Sequence, residues 1–84
     1  SERQVHYIIL KRRRGVGVVE VPRATSMVFQ WCDGRHSIRA MCALVESLDD
    51  AKTVAYLEAL GTRQLVAMIL AGLSKIVGLR TRAV

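Results

Sequence analysis

One proline, two cysteines and four aromatic side chains in 84 residues are low counts, and each shortage removes a class of protein. A single proline beside six glycines excludes collagen-like and proline-rich linker sequences. Two cysteines, Cys32 and Cys42, are too few to staple a secreted scaffold, and as free thiols they suit a reducing compartment. Long apolar runs are also missing. The longest, Leu65–Leu73, covers nine residues before Ser74 and Lys75, which is too short to span a bilayer. The opening SERQVHYIIL lacks the basic region, long apolar stretch and small-residue cleavage site of a signal peptide. These features predict a soluble, cytoplasmic protein.

The chain is 51% hydrophobic and 24% charged, the profile of a folded domain rather than a disordered one. Its length allows a single domain over residues 1–84, with a β-rich part at 5–32 and a helical part at 36–79. Acidic side chains are scarce, seven against thirteen basic ones, for a net charge of +6. Residues 1–39 hold eight basic and three acidic groups, net +5; residues 40–84 hold five and four, net +1. This asymmetry points to an anionic partner at one end and association at the other. Ordinary solubility and arginine-rich codon usage account for the same excess.

Val5–Leu10 and Val16–Val21 are β-branched and aromatic runs of strand length. Lys11-Arg12-Arg13-Arg14-Gly15 connects them, and Gly15 supplies the left-handed conformation a hairpin bulge requires. Pro22 closes the second strand because it cannot donate to a ladder. In this hairpin Val5, Tyr7 and Ile9 share one face, and His6, Ile8 and Leu10 the other. Both faces are apolar enough for the sheet to be covered on both sides. Alternation of Met27, Phe29 and Trp31 predicts a third strand over Ser26–Cys32, with a short helix as the other reading.

From Ser37 the period changes to helical. Ile38, Met41, Cys42, Leu44 and Val45 form one face, opposite Arg39 and Glu46. Ser47 and Asp50 have the spacing of a capping box for a helix over Asp49–Leu60, along which Ala51, Ala55 and Ala59 make a thin flank. Gly61 ends that helix and Thr62 caps the next. The last helix, Thr62–Leu79, is followed by Arg80 and Arg82. At about 100° per residue it spreads its apolar side chains, Val66, Val77 and Leu79 among them, over an arc of roughly 200°. So wide an arc predicts a second apolar surface, with Leu65, Met68, Ile69, Leu70, Leu73 and Ile76 forming an oligomer or partner interface. The expected class is α+β: a β-hairpin or three-stranded antiparallel meander, then about three helices.

Lys11, Arg12, Arg13 and Arg14 are the foremost candidates for partner contact. Guanidinium groups on a hairpin tip reach phosphates or a minor groove, and they meet an acidic protein surface equally well. A solvated turn that blunts aggregation explains the same run without function. A helix-turn-helix around Gly61 would have to expose Leu65, Met68 and Ile69 to the groove, where polar groups should read bases, and Leu57 occupies a position usually held by a small residue. Cys32, His36, Cys42 and His6 could in principle hold zinc, but C-x₃-H-x₅-C is not a zinc spacing. A Cys32–His36 nucleophile pair beside Asp33 lacks a third group to orient it, and Gly15-Val16-Gly17 precedes a strand, so it is no dinucleotide loop. Trp31, Phe29 and Tyr7 serve either as interface anchors or as core.

The reading is therefore a non-enzymatic, homo-oligomeric interaction protein with no cofactor or metal. It would bind and modulate a protein target through an apolar helical face and a basic hairpin, in the compositional manner of phage and mobile-element accessory or inhibitory proteins. The alternative is a nucleic-acid-binding regulator, dimeric through its helices, that contacts phosphates with the KRRR tip.

Overall fold

The structure, a computed structural model, describes residues 5–77. The expected helix end at Leu79, with Arg80 and Arg82, lies outside the described residues, as do the side chains of Arg12 and Val77. Two strands lead, β1 (His6–Arg12) and β2 (Gly15–Val21). Four helices follow: α1 (Arg23–Gln30), α2 (Ile38–Glu46), α3 (Ala51–Leu60) and α4 (Thr62–Val77). The class is α+β, with a two-stranded antiparallel hairpin ahead of the helices.

Pairing runs unslipped from His6↔Val21 to Arg12↔Gly15. The chain therefore reverses through Arg13 and Arg14 without bulging a residue out of the ladder. No non-glycine residue described has a positive φ, whereas Gly15 sits at φ 95°. A mirror-image two-residue turn is thus excluded, and the left-handed step that returns the strand falls on the one residue without a Cβ. Pro22 ends β2 as expected and stands at the N-cap of α1 in extended conformation, where its missing N–H costs nothing.

Ser26–Cys32 is not a third strand. Ser26–Gln30 belongs to α1, which opens within the segment assigned to the β-rich part. Ala24, Met27, Val28 and Trp31 recur at i, i+3, i+4 and i+7, so the alternation of Met27, Phe29 and Trp31 sits inside a helical pattern. Tertiary packing selects the helix. Val28 is fully buried, and α1 packs on α4, α2 and β1.

Ser37 caps α2, its Oγ accepting from the Ala40 N–H at 3.1 Å. The expected Ser47 cap is not formed. Ser47 closes α2, its hydroxyl donating to the Leu44 carbonyl at 2.6 Å. Asp50 is the N-cap of α3 instead, accepting from the Thr53 N–H at 3.1 Å and the Thr53 hydroxyl at 2.7 Å. A carboxylate with two local donors outcompetes a serine that can still bond back to its own helix. Gly61, at φ 85°, separates α3 from α4. Thr62 does not cap α4 but is its first residue, and its hydroxyl donates to Glu46 at 2.6 Å, tying the start of α4 to the end of α2.

The core joins Ile8, Leu10 and Val21 of the hairpin to Val28, Met41 and Val45 and to Leu65, Val66, Ile69 and Leu73 of α4. α4 touches all three other helices. Its wide apolar arc is thereby used largely within the chain. The molecule measures 38 × 37 × 21 Å. Its short dimension holds about two layers at ~10 Å each, hairpin and helices, with none of the described residues beyond the hairpin.

Candidate functional site

Side chains alternate across a strand, so the register divides the hairpin into two faces. Ile8, Leu10 and Val21 are buried on the helical side, with Val19 packed against them. The other side stacks three cross-strand rows: Tyr7↔Glu20, Ile9↔Val18 and Lys11↔Val16. Tyr7 is 55% exposed, Ile9 69%, Val16 65% and Val18 59%. The sheet expected to be covered on both sides is therefore covered on one. All four helices follow the hairpin in sequence and fall on its inner side.

The basic run frames this apolar face. Lys11 lies in its last row, and Arg13 and Arg14 form the exposed tip just beyond. Among the described residues no backbone hydrogen bond joins either strand to another element, so both long edges are open to a further strand. The candidate site is an apolar platform of four β-branched or aromatic side chains with a cationic end and two unpaired edges.

The six helical residues expected to form an interface are placed differently. Leu65, Ile69 and Leu73 are buried in the chain's own core, and Leu70 and Ile76 are partly buried against it. Met68 is exposed. It lines an apolar groove of about 300 Å³ with Tyr56, Ile76 and Ala24. Next to that groove is a more polar cleft of about 600 Å³ lined by His6, Arg23, Asp50 and Lys52. Arg23 lies 3.5 Å from Asp49 and 3.9 Å from Asp50, linking the starts of α1 and α3. Burial pushes the Asp50 carboxyl up, but the two Thr53 hydrogen bonds and Arg23 outweigh it and hold it below the usual carboxylate range.

The α1–α2 loop brings Cys32, Asp33 and His36 together. Asp33 accepts from the Arg35 N–H at 2.8 Å and lies 3.0 Å from His36 Nδ1. These two contacts, the backbone one foremost, hold its carboxyl low. The His36 ring stacks on Trp31 at 4.0 Å. His36 thus has the orienting group that sequence alone did not reveal. Cys32, however, makes no hydrogen bond with it, and burial together with Asp33 raises the thiol above its ordinary value, the reverse of what a nucleophile needs. Among the described residues no three His, Cys, Asp or Glu side chains converge on a metal position.

No single helix among the described residues is long and apolar enough to cross a membrane. α3 and α4 together reach that length and composition but meet at 112°. No protein-family model matches the chain, and neither a curated protein nor a solved structure matches it.

Ile9, Val16 and Val18 are the site residues that sequence reading missed; Tyr7 stands among its interface candidates. The alternation that groups Tyr7 with Ile9 was visible. What the residues could not supply was which of two apolar faces turns outward.

Proposed function

We propose that the chain is a non-enzymatic interaction protein that docks on a protein partner through the outer face of its hairpin. The occupant is a protein surface with an apolar centre and an acidic margin. One observation carries the reading: Tyr7, Ile9, Val16 and Val18 form a contiguous exposed apolar platform. Exposed clusters of this kind, rimmed by polar groups, mark interaction sites rather than ordinary surface. The cationic end fixes the chemistry of the partner. Lys11, Arg13 and Arg14, on a chain of net charge +6, steer an acidic rim into register. Backbone groups along the open edges allow the partner to add a strand.

Nucleic-acid binding is the second reading, favoured by one feature. Because Leu65 and Ile69 are buried, the outward side of α4 carries Arg63, Gln64 and Lys75 beside Ala67, Met68 and Ala71. The 112° angle to α3 is within the range of helix-turn-helix pairs. The objection that apolar side chains would face the groove thus falls away at two of three positions. Against it, a phosphate-binding platform has no use for exposed valine and isoleucine.

Titration of duplex DNA across a salt series separates the two. Affinity at low salt with a steep slope, lost in Arg13→Ala/Arg14→Ala, would establish the nucleic-acid reading and overturn ours. The protein reading expects no measurable duplex affinity. It also expects a nuclease-resistant protein, captured from lysate by the wild type, to be lost with Ile9→Glu/Val18→Glu and weakened with Arg13→Glu/Arg14→Glu.

A further inference from the structure

We infer that the groove between the end of β2 and helices α3 and α4 takes one large apolar side chain, presented by a protein partner with acidic residues beside it. A missing side chain points there. Along α4, Leu65, Met68, Ile69 and Ile76 recur at i, i+3, i+4 and i+11, and all four line the groove. Gly72 occupies the i+7 place in that stripe. It lies inside the helix, its φ is not positive, and a Cβ there would meet nothing within 4 Å among the described residues. Neither conformation nor close packing therefore calls for glycine. Against alanine it lowers the folding equilibrium about five-fold. What it does is hold open a notch between Met68 and Ile76, with Tyr56 of α3 lining the same space.

Size and charge select the occupant. At about 300 Å³ the groove stands at the foot of the range that small-molecule sites span, ~300–1,000 Å³. Such sites also converge several polar groups on their ligand, and here the Thr53 hydroxyl is spent on Asp50. A small apolar pocket with charge on its rim is the arrangement that receives an interface anchor. Met68, flexible and exposed, can shape itself to that anchor. The rim supplies the sign. Lys52 lines the groove, is exposed and has no ion-pair partner among the described residues, whereas Glu20 on the same rim is already engaged. An acidic group beside the anchor thus meets an unpaired ammonium. Of the outer hairpin face the groove shares only Glu20, so this inference stands apart from the hairpin reading.

The probe is a blocked pentapeptide, one tryptophan between two pairs of aspartates, titrated into protein labelled at its methionine methyls. In NMR spectra the Met68 signal should shift and saturate, while Met27 and Met41, which do not line the groove, stay fixed. Gly72→Leu fills the notch from within. It should keep the fold by circular dichroism and weaken the peptide about ten-fold or more. Gly72→Ala should raise the Tm by about 4–8 °C, since no contact within the chain needs the glycine. Lys52→Glu should weaken the peptide about five-fold, as should lysines in place of its aspartates. Alanine in place of its tryptophan should abolish binding, and Ile9→Glu/Val18→Glu should bind the peptide as wild type does. No saturable Met68 shift at millimolar peptide, undiminished binding to Gly72→Leu, a lowered Tm in Gly72→Ala, or loss of binding in Ile9→Glu/Val18→Glu would each overturn the proposal. So would a Met68 shift from octanoate but not from the peptide, which would assign the groove to an amphiphile.

Discussion

Ile8 and Ile9 are neighbours of the same residue type on the same strand, and the fold treats them in opposite ways. Ile8 is sealed against the helices, 2% exposed, while Ile9 is 69% exposed on the outer face. The same contrast holds along β2 between Val21, 7% exposed, and Val18, 59% exposed. A hairpin whose faces are equally apolar has no internal preference for either side. The helices choose by arriving on one of them. The inner face then contributes stability, and the outer face becomes surface with apolar character left over.

The sharpest way to break this comparison is to truncate both isoleucines. Ile8→Ala removes a side chain from a closed core and should cost about 3 kcal/mol, much of the stability of a domain this small. Ile9→Ala should change stability by less than about 0.5 kcal/mol. Urea denaturation of the two variants reads the difference directly. Equal losses would mean that something in the chain covers the outer face after all. Leu73→Glu belongs with the first of the pair. It places a charge in the core of the single chain, so it should unfold the protein rather than release a folded monomer.

α4 shows why the width of an apolar arc does not by itself locate an outward surface. Its wide apolar arc is visible in the sequence, but arc width reports how many neighbours a helix needs, not whether they belong to the same chain. Three helices and the inner face of the hairpin satisfy α4. The hairpin itself, the helical stretches after Ser37, the stop at Gly61 and the alpha-plus-beta class were all legible, because turn glycines and periodicity are local signals. α1 was obscured because Met27, Phe29 and Trp31 fit two periods at once. The Asp33–His36–Trp31 cluster was illegible for a different reason. Its geometry depends on the Gly34 turn at φ 82°, which composition does not specify.

The tip tests whether the outer platform is held in one register. Gly15 adopts φ 95°, with open space where a Cβ would project. Gly15→Ala therefore meets no clash with neighbours, and its cost is backbone strain alone, about 1–1.5 kcal/mol. Thermal unfolding should show that loss. If the hairpin's register supports the platform, the same variant should also weaken partner binding, whereas Arg13→Ala should leave stability unchanged. A stable Gly15→Ala variant would show that the turn accepts another geometry and that the rows Ile9↔Val18 and Lys11↔Val16 are not fixed by it.

The smallest effect lies at the far end of the molecule and carries a pH signature. Asp50→Ala removes the α3 cap and its two Thr53 hydrogen bonds, a loss of about 1 kcal/mol at neutral pH. The Asp50 carboxyl is held below its ordinary value, so the folded state favours the ionised form more than the unfolded state does. Its contribution is therefore complete above the unfolded value of about 4 and fades as pH falls through the lower folded value. Wild type and Asp50→Ala should differ in urea midpoint at pH 7 and converge in acid, while Ile8→Ala remains displaced at both. A difference that persists unchanged in acid would mean that Asp50 acts through packing against Arg23 and Thr53 rather than through its charge.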